Sequence, residues 1–256
     1  MEKIKEYYER EAQELEDHQE DIYFKNPWNI YWHGNRLREV LRIVEGISYT
    51  NFLDAGCAEG YYLKLLAKLC DNIDGSYAVG FDIARNYLHK AKKKVPNALL
   101  SHGDVHKLPF KNDFFDLVLC SEVLEHVLYP ELAFKELVRV SNKYLLLTVA
   151  GENLFYYLAK KLALVKPGDP YAEIGRGHIH EARMTETIFP WALEAGYESI
   201  ESVVTCYFPL SFLQKHRVPA SSIFVIRFLD RLIGKLPVIK EFGSVQIALL
   251  KKVRRV

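Results

Sequence analysis

The sequence predicts an α/β fold, a parallel sheet covered by helices on both faces, from three observations. Short apolar runs alternate with helical patterns from residue 51 to 149. The runs Val79-Gly-Phe-Asp82 and Phe115-Asp-Leu-Val-Leu-Cys120 lack polar alternation, as strands buried on both sides should. A tight small-residue turn, Phe52-Leu-Asp-Ala-Gly-Cys-Ala-Glu-Gly60, joins the first run to the first helix.

The elements follow in order. Residues 2–20 and 35–45 read as helices, and an aromatic-crowded link, Tyr23 to His33, lies between them. Strands read at 51–55, 77–82, 97–101, 115–120 and 143–149, and helices at 60–70, 84–94 and 130–140. Beyond Val149 the alternation stops. Residues 152–164 suggest an amphipathic helix, and a Gly/His-rich loop runs from Gly175 to His180. Thr185 is expected to cap a helix ending at Gly196. Strands near 199–207 and 244–251 close the pattern, around a Pro-punctuated insertion of roughly 35 residues, long for a plain connection.

Composition narrows the function classes. Apolar content of 49% and charged content of 26% are ordinary for a water-soluble domain. The net charge of +1 argues against a bulk electrostatic partner, and nucleic acid is not expected because the basic residues lie among aliphatics rather than along an aromatic-lined groove. That average hides an asymmetry: residues 2–21 carry nine acids against three bases, and residues 211–256 ten bases against two acids. Cys57, Cys70, Cys120 and Cys206 form no CxxC pair, which predicts a reducing, cytoplasmic setting and no structural zinc. The charged start predicts no signal peptide, and no uncharged apolar run reaches the roughly 18 residues of a membrane span.

In an open α/β sheet, ligands bind beyond the carboxyl ends of the strands. Three acids fall there: Asp54, Asp82 and Asp104. Gly56, Ala58 and Gly60 leave room for a ligand against the backbone, which makes this a nucleotide-type pocket. Asp82 suits two ribose hydroxyls and Asp104 an adenine amino group. A dinucleotide fits poorly: its pyrophosphate wants GxGxxG, whereas here the spacing is Gly56-x-x-x-Gly60, with Asp54 and Glu59 adding negative charge. Acids beside the turn suit a cationic, amine-bearing ligand instead.

Four segments then resemble, in order, the motifs of the class I S-adenosylmethionine-dependent methyltransferases of the small-molecule, quinone and lipid type: FLDAGCAEG, VGFDIA, GDVHKLPF and FDLVLCSEVLEHV. GHIHEARMT, followed by Leu193-Glu-Ala-Gly-Tyr197, resembles the family's later segment. The likeness spans roughly residues 50–205, and its one departure is Ala58 where the family prefers glycine. It implies a Rossmann-like, doubly wound, seven-stranded sheet, mostly parallel with the last strand antiparallel. It also implies S-adenosyl-L-methionine held by Asp54, Ala55, Gly56, Gly60, Asp82, Ile83, Asp104, Val105 and Ser121. One domain is expected: a helical cap (1–48), a cofactor core (49–150), a lid (151–184) and a C-terminal part (185–256) with a helical insertion at 208–243.

Several readings stay open at this level. His126 or His178 is the candidate general base for a hydroxyl acceptor. Glu122, Glu125 and His126 share one face if helical, and similar residues bind a divalent metal in some relatives; otherwise they brace the loop. Trp28, Tyr31 and Trp32 either pack the core or face the sulfonium. Arg36 either meets the methionine carboxylate or stays on the surface. The segment 222–237 either packs over the sheet edge or touches a membrane with Arg227, Arg231 and Lys235. The acceptor is expected to be a small molecule or lipid, with membrane contact through 211–242. A nicotinamide-dependent oxidoreductase and a non-catalytic interaction protein are the alternative functions.

Overall fold

A computed structural model describes residues 2–15, 18–70, 77–151, 158, 161–162, 184–208, 218–236 and 242–253. The expected helix at 152–164, apart from three residues, the Gly/His-rich loop with His178, and much of the 208–243 insertion lie outside the described residues.

The first helix stops early: α1 spans Glu2–Glu14 and α2 spans His18–Phe24. The aromatic link is not a link. Helix α3 runs Pro27–Glu45, because Asn26 caps it by accepting from the Trp28 N–H at 2.8 Å and Pro27 fills its first position. Trp28, Tyr31, Trp32, Asn35, Val40 and Ile43 form its buried stripe.

Strand β1 (Asn51–Ala55), α4 (Tyr61–Leu69), β2 (Tyr77–Asp82), α5 (Arg85–Lys94), β3 (Leu99–His102) and β4 (Phe115–Ser121) follow, then α6 (Pro130–Val140) and β5 (Ser141–Ala150). The third strand starts two residues later than expected, since an Ala98 N–H to Val95 carbonyl turn occupies its predicted start. Thr185 does not cap the helix that precedes Gly196; the N-cap there is Ile188. Thr185 lies inside a π-helical turn, Met184–Ile188, that runs into α7 (Phe189–Glu194). Gly196, at φ +79°, stops the chain after α7. Strand β6 (Tyr197–Thr205), α8 (Ile223–Ile233) and β7 (Val245–Lys252) complete the fold.

The seven strands lie in the order β3-β2-β1-β4-β5-β7-β6. Only β7 runs against its neighbours, wedged between β5 and β6. Successive residues serve opposite faces, as a strand's two-residue period requires. Phe52, Leu117, Leu119, Leu146 and Ile247 pack under α3, α4 and α8. Leu53, Val118, Leu145, Leu147 and Ala248 pack under α6 and residues 184–192. Strand order reverses between β1 and β4, so the crevice beyond their carboxyl ends is the ligand position for this topology.

Candidate cofactor site

Strand β1 delivers Asp54 to that crevice and the chain then turns sharply. Gly56, Ala58 and Gly60 take φ values of +86°, +43° and +80°. Glycine is required at Gly56 for a second reason: a Cβ there would sit 2.3 Å from Val123 Cγ2. Ala58 adopts the left-handed conformation without glycine's freedom. Its methyl packs against the cluster of Ala12, Ala84 and Tyr87, beside Tyr8. Ala55 turns its side chain into the core, so only its backbone faces the crevice.

Asp54 is 1% exposed, and its Oδ2 accepts no hydrogen bond from the described residues. Burial pushes its carboxyl up to about 7, the nearby Asp82 adds to the rise, and the Leu63 N–H opposes it. Asp82 is held in place by two amides: Ala58 N–H donates to Oδ2 at 2.9 Å and Ala84 N–H to Oδ1 at 2.8 Å. Burial raises it to about 6. Two buried acids with one unused oxygen form a site of negative potential built by the backbone.

Glu59 does not contribute to that potential as its position suggested. It is fully buried and turned to α5, with Lys94 Nζ at 2.9 Å and Lys90 Nζ at 3.4 Å. The charge argument against a pyrophosphate therefore rests on Asp54 and Asp82 alone.

The third acid is partly self-engaged. Asp104 Oδ1 accepts the His106 N–H at 3.0 Å and meets its Nδ1 at 2.5 Å, an Asx-turn that shapes the loop. Both contacts use Oδ1. Val105 is buried beneath. The Ile83 carbonyl lies 3.0 Å from His102 Nε2.

At the end of β4, Ser121 Oγ bonds Thr148 Oγ1 at 2.8 Å, which donates to Glu122 Oε1 at 3.3 Å. Glu122 takes φ +56°, and Leu124–His126 is a 3₁₀ turn. The shared helical face expected of Glu122, Glu125 and His126 is therefore absent. Glu122 Oε2 pairs with Arg36 Nη1 at 3.0 Å, and Glu125 Oε1 accepts the Ala150 N–H at 2.5 Å. No three His, Cys, Asp or Glu side chains are grouped to hold a metal among the described residues.

Arg36 is only 7% exposed, which overturns its surface reading. Burial works against its charge, but Glu122 outweighs that and keeps it protonated. Glu125 is raised to about 8 by burial and by Glu122, and its Oε2 has no partner among the described residues. Trp28, Tyr31 and Trp32 belong to the core under α8, the packing alternative.

One neighbour carried no sequence signal. Tyr8, in a charged helix, reaches back to pack beside Ala58, and its ring meets the His126 ring edge-on at 6.1 Å. Burial, then Glu11, raises its phenol well above the ordinary value. Helix α1 is anchored there by Glu9, whose oxygens accept the Arg85 and Asn86 amides at 2.9 and 3.0 Å. Since α5 has no side-chain cap of its own, α1 supplies it from the other end of the sequence.

Comparisons with known proteins agree with this fold. Residues 53–144 match a family model described as a methyltransferase domain. A malonyl-[acyl-carrier protein] O-methyltransferase of Legionella pneumophila is 30% identical over 182 residues, which cover 67% of this chain and 63% of that protein. A demethylmenaquinone methyltransferase of Streptomyces avermitilis is 42% identical over 68 residues, or 27% of this chain and 29% of that one. The chain thus spans less than two thirds of either relative. Among solved structures, magnesium protoporphyrin IX methyltransferase from Synechocystis PCC 6803, with bound SAH, superposes with a TM-score of 0.64 at 16% identity over 98% of both chains.

Proposed function

We infer that this chain, whose residues 53–144 form a methyltransferase domain of the class I S-adenosylmethionine-dependent family, transfers a methyl group from that cofactor to a small-molecule or lipid-like acceptor. The observation that carries the reading is the buried, unsatisfied Asp54 Oδ2 beside Asp82 at the switch point of the sheet. A buried carboxylate oxygen without a donor is costly unless a ligand supplies one. A cofactor bearing an ammonium group, ribose hydroxyls and an adenine amine supplies donors of the right kind.

The proposed assignments follow. Asp54, with the backbone at Ala55, Gly56 and Gly60, holds the amino acid end. Asp82 and the Ile83 backbone hold the ribose, Asp104 and Val105 flank the adenine, and Ser121 lines the floor. When bound, the sulfonium supplies an activated methyl carbon. The chain's residues hold the acceptor atom in line with it and exclude water. Tyr8 covers the crevice beside His126, which supports a role for α1 as part of the cap. For a hydroxyl acceptor, His126 would be the residue that takes the acceptor's proton. His178, the other candidate, lies outside the described residues. The demethylmenaquinone and malonyl-carrier relatives support an acceptor that is itself apolar or carried on a larger group.

Calorimetry with S-adenosylhomocysteine and with NAD(H) tests the cofactor. The first should bind, and Asp82→Ala should abolish that binding. NAD(H) binding alone would overturn the reading. A labelled-methyl screen of lipid, RNA, protein and small-metabolite fractions then identifies the acceptor, and label in the RNA fraction would displace the small-molecule assignment.

A further inference from the structure

Helix α8 is turned inside out. Its acid, Asp230, is 6% exposed and faces inward, where its Oδ2 accepts the Tyr31 hydroxyl at 2.6 Å and its Oδ1 accepts the Tyr207 N–H at 3.1 Å. With Ile226, one turn earlier, it forms the row that packs on α3 and the sheet. The phenylalanines point the other way. Phe224 is 77% exposed and Phe228 60%, and Val225 and Leu232 stand out beside them.

Two adjacent rows make up this outer face. One reads Phe224, Phe228, Arg231 at spacings of four and three; the other reads Val225, Leu229, Leu232 at the same spacings, and Lys235 and Leu236 follow, exposed, in the turn just past the C-cap Gly234. All these residues except Arg231 and Lys235 are apolar, and those two are exposed cations at the C-terminal end. The packing thus removes the helix's single negative charge from the surface and leaves both outer rows apolar or positive. The surrounding sequence is biased the same way, with ten bases against two acids over residues 211–256, Asp230 being one of the two.

We propose that the outer face of α8 docks on an anionic lipid bilayer, with Phe224 and Phe228 entering the headgroup boundary and Arg231 and Lys235 meeting lipid phosphates. Charge decides the occupant. A second copy of this face would set Arg231 and Lys235 against the same two cations, which opposes self-association. A convex helix with protruding aromatics and basic flanks instead has the form of an interfacial helix. The face joins the cofactor site through one element: Tyr31 of α3 holds Asp230, and Arg36, five residues on, holds Glu122. The docking itself does not rest on the methyltransferase reading.

Co-sedimentation of the full chain with vesicles tests it. Phosphatidylcholine vesicles containing phosphatidylglycerol should bind the chain at low salt and release it at high salt, while phosphatidylcholine alone should bind it weakly. The double change Phe224→Ser/Phe228→Ser should weaken binding at least about tenfold. Arg231→Glu/Lys235→Glu should weaken it by at least about tenfold too, since each base near such a surface contributes roughly fivefold. Both pairs are exposed, so a thermal melt and S-adenosylhomocysteine binding should match the parent and separate this result from any failure of the cofactor reading. If the phenylalanine pair fails to fold, Val225→Ser/Leu232→Ser replaces it. Absence of vesicle binding, binding unchanged by these substitutions, equal binding to neutral vesicles, or capture of a soluble acidic protein in place of vesicles would each overturn the proposal.

Discussion

Two turns meet at the switch point of the sheet, and they solve the same problem differently. The turn after β1 and the turn after β4 each bury a carboxylate with one unused oxygen, Asp54 Oδ2 and Glu125 Oε2. Each also forces a residue with a side chain into the left-handed region, Ala58 and Glu122. They differ in counter-charge. The β4 turn has its own cation in Arg36, 3.0 Å from Glu122. Among the described residues the β1 turn has none, because the nearby lysines of α5 are bound to Glu59. One turn pairs one of its two acids with an internal arginine, and the other leaves Asp54 beside Asp82 with no such cation among the described residues. That difference in counter-charge is the ground on which the β1 turn is proposed, and the β4 turn is not, as the seat of a cationic cofactor.

Removing the internal cation should have the largest effect. Arg36→Met leaves Glu122 and Glu125 without their counter-ion and should cost about 3–5 kcal/mol. The cost should grow as pH rises through about 8, where Glu125 ionises, and shrink below it. Urea melts on either side of that pH measure it, and a flat pH dependence would separate Arg36 from Glu125.

Gly56→Ala should come next, because it damages both turns at once. The added methyl meets Val123 Cγ2 of the β4 turn, and the residue keeps a φ of +86°. Strain and overpacking together should cost roughly 3 kcal/mol. Cofactor affinity, read by calorimetry, should fall with stability.

Asp54→Asn separates binding from folding. A carboxyl raised to about 7 in the fold stays protonated there when the unfolded chain has already ionised, so stability falls as pH climbs from about 4 through about 7. Asparagine lacks that slope, and above neutral pH the variant should be more stable than the parent by roughly 1–3 kcal/mol. Its affinity for S-adenosylhomocysteine should drop at least about tenfold, the size of a lost charge-assisted bond. In the parent, affinity should rise with pH through about 7, since the ionised acid binds the amine. A variant that loses stability instead would show that Asp54 is structural.

Ala58→Gly should have the smallest effect. Relief of the left-handed strain favours the glycine by about 1 kcal/mol, and lost packing against the Tyr8 cluster offsets part of it. A net gain near 0.5 kcal/mol by thermal melt is expected, with little change in cofactor affinity.

Much of the core was legible from local pattern. Strands at 51–55 and 77–82 and the helix at 130–140 match in full, because apolar runs and periodicity report burial directly. The aromatic stretch from Tyr23 to His33 misled because aromatic density obscured a strong start signal, Asn26-Pro27. Glu59 misled for a different reason. Its sequence position beside Asp54 says nothing about Lys90 and Lys94, which arrive from a later helix. Tyr8 was invisible, since nothing local distinguishes it from other tyrosines in a charged helix.

The sequence by itself determined the α/β class, the strand-end acids and the glycine turn, since those depend on neighbours within a few residues. Tertiary structure decided everything that depends on which charge meets which. It joined Arg36 to Glu122, withdrew Glu59 from the crevice and left Asp54 unsatisfied. It also turned Asp230 inward and Phe224 outward on α8. The physical reason is common to all four. A buried charge is governed by partners within a few ångströms, and in this fold those partners come from distant parts of the chain.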